Sequence, residues 1–464
     1  MKSILLKRII FLGLVCLSSF RSNAQENKID SLINNLLFQK KLAGAAIAVL
    51  KNQKVIFDKN YGYADIEDKK PVTEATSFNI MSVTKCFVAI AVVQLADKGK
   101  MELDAPVKEY LSNLPDQYGN VLIYQLLNHS SGVPDYVHEE GYMAHANRTQ
   151  SPMEVIQNVI NKPLNFKPGE KNEYSNSGYY LLGLAIEKVT GKKLSEYLKE
   201  NVFEPSGMND TYLEDTNSEK NFKAKGYTNS NGELKSEISL NPSQYWAAGG
   251  IVSTKNDLIK WNKNLMSGIV LPKKEIDQMM QPLKLGNGTL SEYGLGFELM
   301  NSPTFKVVGN NGVGLGFNAS DLNFLNDGLT VLVLTNTSNS NSSLIAKNIR
   351  DIYVKETGKN TGTSEADTKK NSIDAAVNQV LIDASNSSIN PAYFEDISAI
   401  NKFKSQTLDY IKSQGKLLNI HLQGQKVNPQ TIVRKYEADF EKGKIIFVFI
   451  FSNQGRIMLV NHMQ

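Results

Sequence analysis

Ser82 and Lys85 stand three residues apart in Ser82-Val83-Thr84-Lys85, at the head of the apolar run Cys86-Phe87-Val88-Ala89-Ile90-Ala91-Val92-Val93. On a helix this spacing places a hydroxyl and an amine on one face. A helix that is apolar all round is a buried helix. A buried lysine must find partners or give up its proton, and one that has lost its proton can serve as base toward a neighbouring serine. The pair therefore points to acyl transfer through a serine nucleophile. The same four residues also fit an N-capping serine beside a solvated lysine, so the rest of the chain must discriminate.

Two further stretches carry chemistry. Tyr174-Ser175-Asn176 closes a polar, turn-rich segment that begins at Phe166 and ends where Tyr179-Tyr180-Leu181-Leu182-Gly183 starts a helix. A tyrosine beside an ammonium is expected to have its pKa lowered and to exchange a proton with Ser82. The Asn176 carboxamide can hold the lysine and a substrate carbonyl together. The second stretch is Gly309-Asn310-Asn311-Gly312-Val313-Gly314-Leu315-Gly316-Phe317. Glycines inside a strand pattern let backbone approach a ligand, and an edge strand can offer its main chain to an extended substrate. The amides of Ser82 and Val313 are the expected oxyanion hole.

These stretches resemble the motifs of the serine β-lactamase-related family, which spans class C β-lactamases, D-alanyl-D-alanine carboxypeptidases, D-aminopeptidases and related esterases. Ser82-Val83-Thr84-Lys85 is similar to its nucleophile motif and Tyr174-Ser175-Asn176 to its Tyr-x-Asn motif. Leu126-Leu127-Asn128-His129-Ser130-Ser131-Gly132-Val133-Pro134-Asp135-Tyr136 is similar to the loop that follows the nucleophile helix. Glu204-Pro205-Ser206-Gly207-Met208, Ala247-Ala248-Gly249-Gly250-Ile251-Val252-Ser253-Thr254 and Tyr293-Gly294-Leu295-Gly296-Phe297 follow in the family's order. The resemblance covers residues 27–356. It implies a covalent acyl-enzyme on Ser82, with Lys85 and Tyr174 exchanging the proton. It also implies a substrate site at Asn176, Asn310, Asn311, Gly312 and Val313, with release of the acid by water and no cofactor; no metal is expected, because no residue spacing matches a metal site.

One position departs from the family. Its third motif usually opens with histidine or lysine before x-Gly, and here that position is Asn310. A cation there would attract the carboxylate of a β-lactam or a D-alanyl terminus. Asparagine brings no charge, and charge-assisted hydrogen bonds are about twice as strong as neutral ones. Lys306 would share the strand face at about 13 Å, too far to substitute. The departure favours an esterase or peptidase that accepts neutral acyl substrates. A D-alanyl-D-alanine carboxypeptidase or class C-like β-lactamase is the first alternative, and a non-catalytic penicillin-binding-like sensor the second.

Other residues have ordinary readings. His129 with Asp135 could suggest a Ser–His–Asp triad, but the order is wrong and no Gly-x-Ser-x-Gly elbow is present, so His129 is read as bracing its loop. His138 and His145 near Glu139 and Glu140 match no metal-ligand spacing, and His421 and His462 lie near the C-terminus. Cys86 is read as a small buried hydrophobe. Tyr179, Tyr180 and Trp246 are read first as packing residues.

The elements that must position this chemistry follow from patterning. The 464 residues are 41% hydrophobic and 21% charged, an ordinary globular composition. Residues 1–24 read as a secretory signal: basic Lys2, Lys7 and Arg8, a short apolar core from Ile9 to Leu17, and Ser22-Asn23-Ala24 before the expected cleavage. Val15 before Cys16 is a poor match to a lipid-anchor site. The leader holds four basic residues and no acid, so the formal charge of +4 falls to zero on its removal. Nothing then favours nucleic acid or an anionic membrane, and no later segment could span a bilayer. A secreted or periplasmic location is expected, with a small-molecule or peptide-like acyl substrate and wall fragments as candidate partners. Only Cys86 survives cleavage, so no intrachain disulfide can form.

A helix is expected over Asn27–Lys40, then strands at Ala45–Lys51 and Lys54–Asn60 joined at Asn52-Gln53. Helices and loops fill Ser82 to about Leu265. Strands return at Tyr293–Met300, Phe305–Gly309, Phe317–Asn323 and Leu329–Thr335, and a helix over Ser342–Thr357 closes the unit. The predicted class is α/β (α+β): an antiparallel, β-lactamase/transpeptidase-like sheet built from both ends of the unit, flanked by helices, with a helical insert. A Gly, Thr, Ser and Lys-rich linker, 357–371, leads to a small α+β domain at 372–464. There, helices at Ile373–Ser385 and Asn390–Ser413 precede strands at Leu417–Leu422, Thr431–Phe440, Ile445–Phe451 and Arg456–Val460. Its helix-then-sheet order resembles a cystatin- or NTF2-like accessory fold.

Overall fold

A computed structural model of the protein describes residues 25–140, 142–214, 222–238, 240–302, 305–356, 377–385, 393–394, 397–427, 431–452 and 456–463. The expected signal segment 1–24 and linker 357–371 lie outside the described residues. The chain separates into two compact units, residues 1–358 and 359–464.

A helix over residues 25–38 leads into β1 (Gly44–Lys51) and β2 (Lys54–Asp65). Asn52 and Gln53, with φ of 46° and 67°, make the turn between them, as a two-residue hairpin with right-handed strand twist demands. The short β3 (Lys70–Pro71) pairs with β2 at the edge of the main sheet, and β4 (Ser77–Asn79), β5 (Tyr212–Leu213), β6 (Tyr227–Ser230), β7 (Glu233–Ser236) and β8 (Ile251–Thr254) are short and lie outside it. The chain then adds β9 (Glu298–Ser302), β10 (Phe305–Gly314), β11 (Phe317–Phe324) and β12 (Leu329–Thr335). The main sheet runs β3-β2-β1-β12-β11-β10-β9. Its two halves meet where β1 pairs antiparallel with β12, from Ala45 opposite Thr335 to Lys51 opposite Leu329.

The central strands are covered on both faces, which is why they read as nearly unbroken apolar runs rather than alternations. Ile47 and Val49 of β1, with Val331 and Val333 of β12, pack against Ile29 and Ile33 of the first helix and Ile345 and Ile349 of the Ser342–Glu356 helix. Ala46, Ala48, Leu332 and Leu334 face the larger core built on the insert. The centre of that core is the Thr84–Asp97 helix, buried from Thr84 to Leu95 without interruption. Among the described residues no helix is long and apolar enough to cross a membrane.

The second unit carries an antiparallel sheet β13 (Leu417–Val427), β14 (Thr431–Phe440), β15 (Gly443–Ser452) and β16 (Ile457–Met463), in that spatial order. Phe447, Phe449 and Phe451 alternate along β15 and bury one face with Val377, Leu381 and Phe403 from its helices.

Two boundaries depart from expectation and bear on the site. Tyr293–Phe297 is not strand; β9 begins only at Glu298. The amides of Leu295 and Gly296 bond instead to the carbonyls of Met279 and Leu127, at 2.8 and 3.3 Å. β10 runs on through Gly314 rather than ending at Gly309.

Candidate active site

Ser82 occupies the middle of a single 3₁₀ turn, Met81–Val83, that runs straight into the Thr84–Asp97 helix. Met81 holds φ at 50°, a costly conformation for a residue with a side chain. Asn79 stabilises it by accepting the Met81 amide at 2.7 Å. The backbone of β10 is pressed against this turn. A Cβ placed on Gly312 would lie 2.2 Å from the Ile80 carbonyl oxygen and 3.0 Å from the Ser82 nitrogen. Only glycine permits that approach.

Three distant segments meet here. Lys85 Nζ is 3.1 Å from Ser82 Oγ, and the Tyr174 hydroxyl donates to the same oxygen at 2.7 Å. Lys85 Nζ also donates to Asn176 Oδ1 at 2.8 Å and to the Ala248 carbonyl at 2.6 Å. Asn176 Nδ2 donates in turn to Asp135 Oδ2 at 2.9 Å, which fixes the orientation of its amide.

Lys85 is 2% exposed. Burial lowers its pKa to about 7, and only the Asp135 carboxylate, acting through space, opposes that. Near neutral pH a large share of the amine is unprotonated. A neutral amine has two hydrogens and one lone pair. The carbonyl oxygens of Asn176 and Ala248 take the hydrogens, which leaves the lone pair directed at Ser82 Oγ. Tyr174 departs from expectation: burial pushes its phenol up, not down. Loss of solvent around the phenol outweighs any attraction from a Lys85 that is only partly protonated near neutral pH. Tyr174 is thus a hydrogen-bond donor in the resting site, and Lys85 is the available base.

The Tyr174 loop is fastened to the segment after the nucleophile helix. Gly169, Glu173 and Asn165 donate their amides to the carbonyls of Ser130, His129 and Gly132 at 2.7 to 2.8 Å. Gly132 has φ of 76°, and a Cβ there would meet the Phe166 carbonyl at 2.3 Å. His129 braces this arrangement rather than completing a triad. Its Nδ1 accepts the Ser175 amide at 3.2 Å, and its ring lies 4.4 Å from that of Tyr174. Burial holds its pKa well below the usual value, so it adds no charge. Asp135 bonds to Asn176, not to His129. Ser175 caps the Asn176–Thr190 helix, which therefore starts three residues before Tyr179.

The third stretch departs further from its expected role. Asn310 is 8% exposed, and its Nδ2 donates to the Gly296 carbonyl at 2.9 Å. It walls a chamber of about 30 Å³ behind Ser82 rather than the open cleft. Asn311 uses its carboxamide internally, donating to Glu298 Oε2 at 2.7 Å and accepting from Ser320 Oγ at 2.8 Å. Only its main chain is left for a ligand. Val313, 65% exposed, stands at the cleft. The two-residue turn between Gly314 and Phe317 makes that pair hydrogen-bonded. Alternation then leaves Val313 in a non-bonded pair, its N–H directed away from β11. β9 stops opposite Gly309, so among the described residues no strand pairs with β10 on that side at Val313.

The cleft itself measures about 870 Å³ and includes Ser82, Tyr174, Asn176, Asn311 and Val313 in its walls. Several of its residues went unrecognised as site residues in the sequence. Asp135 invited only a triad reading, although its loop motif was evident. The Ala248 carbonyl lies inside the Ala247–Thr254 motif but is a main-chain atom, which a pattern of side chains does not reveal. Glu298 immediately follows the Tyr293–Phe297 motif. Trp246 packs across Gly183 and against Tyr180, at 5.4 Å between rings, while its neighbour Tyr245 lines the cleft.

A profile of the family described as Beta-lactamase matches residues 29–354. The chain belongs to the beta-lactamase family. Penicillin-binding protein 4* of Bacillus subtilis (strain 168) is similar to it at 27% identity over 330 residues, spanning 66% of this chain and 71% of the relative. The octameric penicillin-binding protein homologue from Pyrococcus abyssi superposes with a TM-score of 0.64 at 26% identity, covering 94% of this chain and 95% of the other. The D-amino acid amidase from Ochrobactrum anthropi SV3, solved with L-phenylalanine amide, gives a TM-score of 0.62 at 26% identity, over 74% and 99%. The fold of the first unit is that of the family's serine hydrolases.

Proposed function

We propose that this beta-lactamase-family protein is an exported serine hydrolase that cleaves an ester or amide through an acyl-enzyme on Ser82. The observation that carries the reading is the meeting of Ser82 Oγ with Lys85 Nζ at 3.1 Å and the Tyr174 hydroxyl at 2.7 Å. Ser82 Oγ attacks the carbonyl carbon and its proton passes to the Lys85 lone pair. The amides of Ser82 and Val313 take the oxyanion. Tyr174 gives its proton to the departing nitrogen or oxygen and recovers one from Lys85. Water then attacks the acyl carbonyl with the same groups as base, and the acid leaves. Asn176 holds Lys85 in place, and Asp135 holds Asn176. The leader pattern of residues 1–24 and the penicillin-binding relatives support export, where wall fragments are available partners.

The test is covalent labelling with a fluorophosphonate, read by intact mass. The parent protein gains the adduct and Ser82→Ala, with an unchanged melting temperature, does not. Equal labelling of the two would reject the assignment.

The penicillin-binding relatives favour a second reading, hydrolysis of a β-lactam or a D-alanyl peptide. Asn310 weighs against it: where a carboxylate would need a cation, the buried amide is spent on the Gly296 carbonyl. Turnover of nitrocefin or a D-Ala-D-Ala peptide, set against short acyl esters, separates the two.

A further inference from the structure

The chamber behind Ser82 measures about 30 Å³, room for a single water. Ser82, Tyr174, Tyr293, Glu298 and Asn311 border both this chamber and the cleft, so the two spaces adjoin at the nucleophile. Asn310 walls the chamber alone, and a longer side chain at that position would reach into it. Three polar atoms of the chamber walls make no hydrogen bond to another described residue. Asn311 Nδ2 donates to Glu298 Oε2 at 2.7 Å, which leaves Oε1. Asn310 Nδ2 is spent on the Gly296 carbonyl at 2.9 Å, which leaves Oδ1. The Ser175 amide donates to His129 Nδ1 at 3.2 Å, so the neutral ring carries its proton on Nε2. None of the three atoms is sealed away from water.

Two acceptors and one donor suit an enclosed water, which typically makes about three hydrogen bonds. Glu298 Oε1 and Asn310 Oδ1 take its hydrogens and His129 Nε2–H donates to its oxygen, which leaves one lone pair. Glu298 is the strongest acceptor of the set, because a charge-assisted bond is about twice as strong as a neutral one. Burial raises its pKa, and the Asn311 bond opposes that rise. Lys85 borders the same chamber. In the resting site its lone pair faces Ser82 Oγ. Once that oxygen carries an acyl group it has no proton to give, and the lone pair is free to take a hydrogen of the water.

We propose that this chamber is the seat of the hydrolytic water, and that Glu298 holds the water for attack on the acyl-enzyme. The inference rests on the acyl-enzyme reading above and adds where the second reactant is kept. The water oxygen bonds to the acyl carbon and its proton passes to Lys85. The bond from that carbon to Ser82 Oγ then breaks, Oγ takes the Tyr174 proton, and Tyr174 recovers one from Lys85. Glu298 neither gains nor loses a proton; it fixes which way the water faces. Acylation needs no water, so Glu298 acts on the second half of the cycle.

The experiment separates the two half-reactions on the full chain at pH about 8, above the Lys85 titration at about 7. Stopped-flow with p-nitrophenyl acetate reads acylation in the burst. Intact mass after removal of the ester reads the lifetime of the acetyl-enzyme. In Glu298→Gln the side-chain oxygen goes to Asn311 Nδ2, so the amide nitrogen faces the chamber and meets the water donor to donor. The acetyl-enzyme lifetime is expected to rise by about 10–10²-fold, with burst and fluorophosphonate labelling rates close to the parent's. Glu298→Leu, which offers no acceptor in any rotamer, lengthens the lifetime as well. An unchanged lifetime in either folded variant overturns the proposal. So does a burst rate that falls by the same factor as deacylation, the mark of a merely disturbed site. Should neither variant fold, a crystal structure of the parent decides: a water within about 2.6–3.2 Å of Glu298 Oε1 supports the proposal, and a chamber without one overturns it. Labelling of Ser82 with an unchanged lifetime sinks this inference and leaves the acyl-enzyme intact. Absence of labelling sinks both.

Discussion

The floor of the site and its β10 wall are built on opposite principles. On the floor, Ser82, Lys85, Tyr174, Asn176 and Asp135 form a chain in which each polar atom is held by the next. Burial of that chain is what drives Lys85 toward neutrality. Along β10 the polar side chains have withdrawn: Asn310 bonds to Gly296, Asn311 to Glu298, and Gly312 has none. What the wall offers a ligand is main chain and the exposed apolar side chain of Val313. The contrast separates two tasks. On the proposed acyl-enzyme reading, the floor would set the reactivity of the serine, and the wall, which lacks a cation at Asn310, would set which substrates arrive.

Breaking the floor gives the largest effect. Lys85→Met removes the base, and kcat/KM is expected to fall by about 10²–10⁴, measured by stopped-flow with an activated ester. In the parent the active form holds Lys85 unprotonated, so the rate rises with pH through about 7. That limb disappears in the variant. A retained limb would assign the titration to another group.

Breaking the contact between floor and wall comes next. Gly312→Ala puts a Cβ 2.2 Å from the Ile80 oxygen, so either the turn bearing Ser82 or the strand must shift. The cost is about 1–3 kcal/mol of stability, with a loss of roughly 10–10² in kcat as the oxyanion donors separate. Calorimetry and burst kinetics measure the two. A parent-like rate would remove the Val313 amide from the mechanism.

The smallest change sharpens the wall alone. Asn310→His restores a side chain that can carry charge. Selectivity for a carboxylate-bearing substrate over a neutral ester is expected to rise by a few-fold, about 1 kcal/mol or less. A competition assay at pH about 6, where more of the histidine is protonated, reads it. No change at that pH would mean that the buried position cannot hold a charge.

The floor is largely legible in the sequence, because reactive side chains at fixed spacing announce themselves. Ser82, Lys85, Tyr174 and Asn176 all meet as their motifs suggest. The wall was less legible. Asn310 and Asn311 look like ligand-facing amides in the sequence, but their direction depends on β9 and β11, which lie on either side. Tyr293–Phe297 alternates like a strand, yet Gly296 adopts φ of 87° and the segment bonds to loop carbonyls instead. The rise of the Tyr174 pKa was hidden for the same reason. Proximity to lysine, and the burial that lowers the lysine's pKa, can be read from motifs, whereas the burial of the Tyr174 phenol that raises its own cannot.

Local patterning decides where the hairpin turns at Asn52-Gln53, which helix is buried, and which residues can react, since these depend on neighbours along the chain. Protonation states, the withdrawal of the β10 amides and the close approach of Gly312 to the turn bearing Ser82 belong to the folded molecule. Each is an outcome of electrostatics and exclusion of water among segments far apart in sequence, and exists only once the sheet has brought them together.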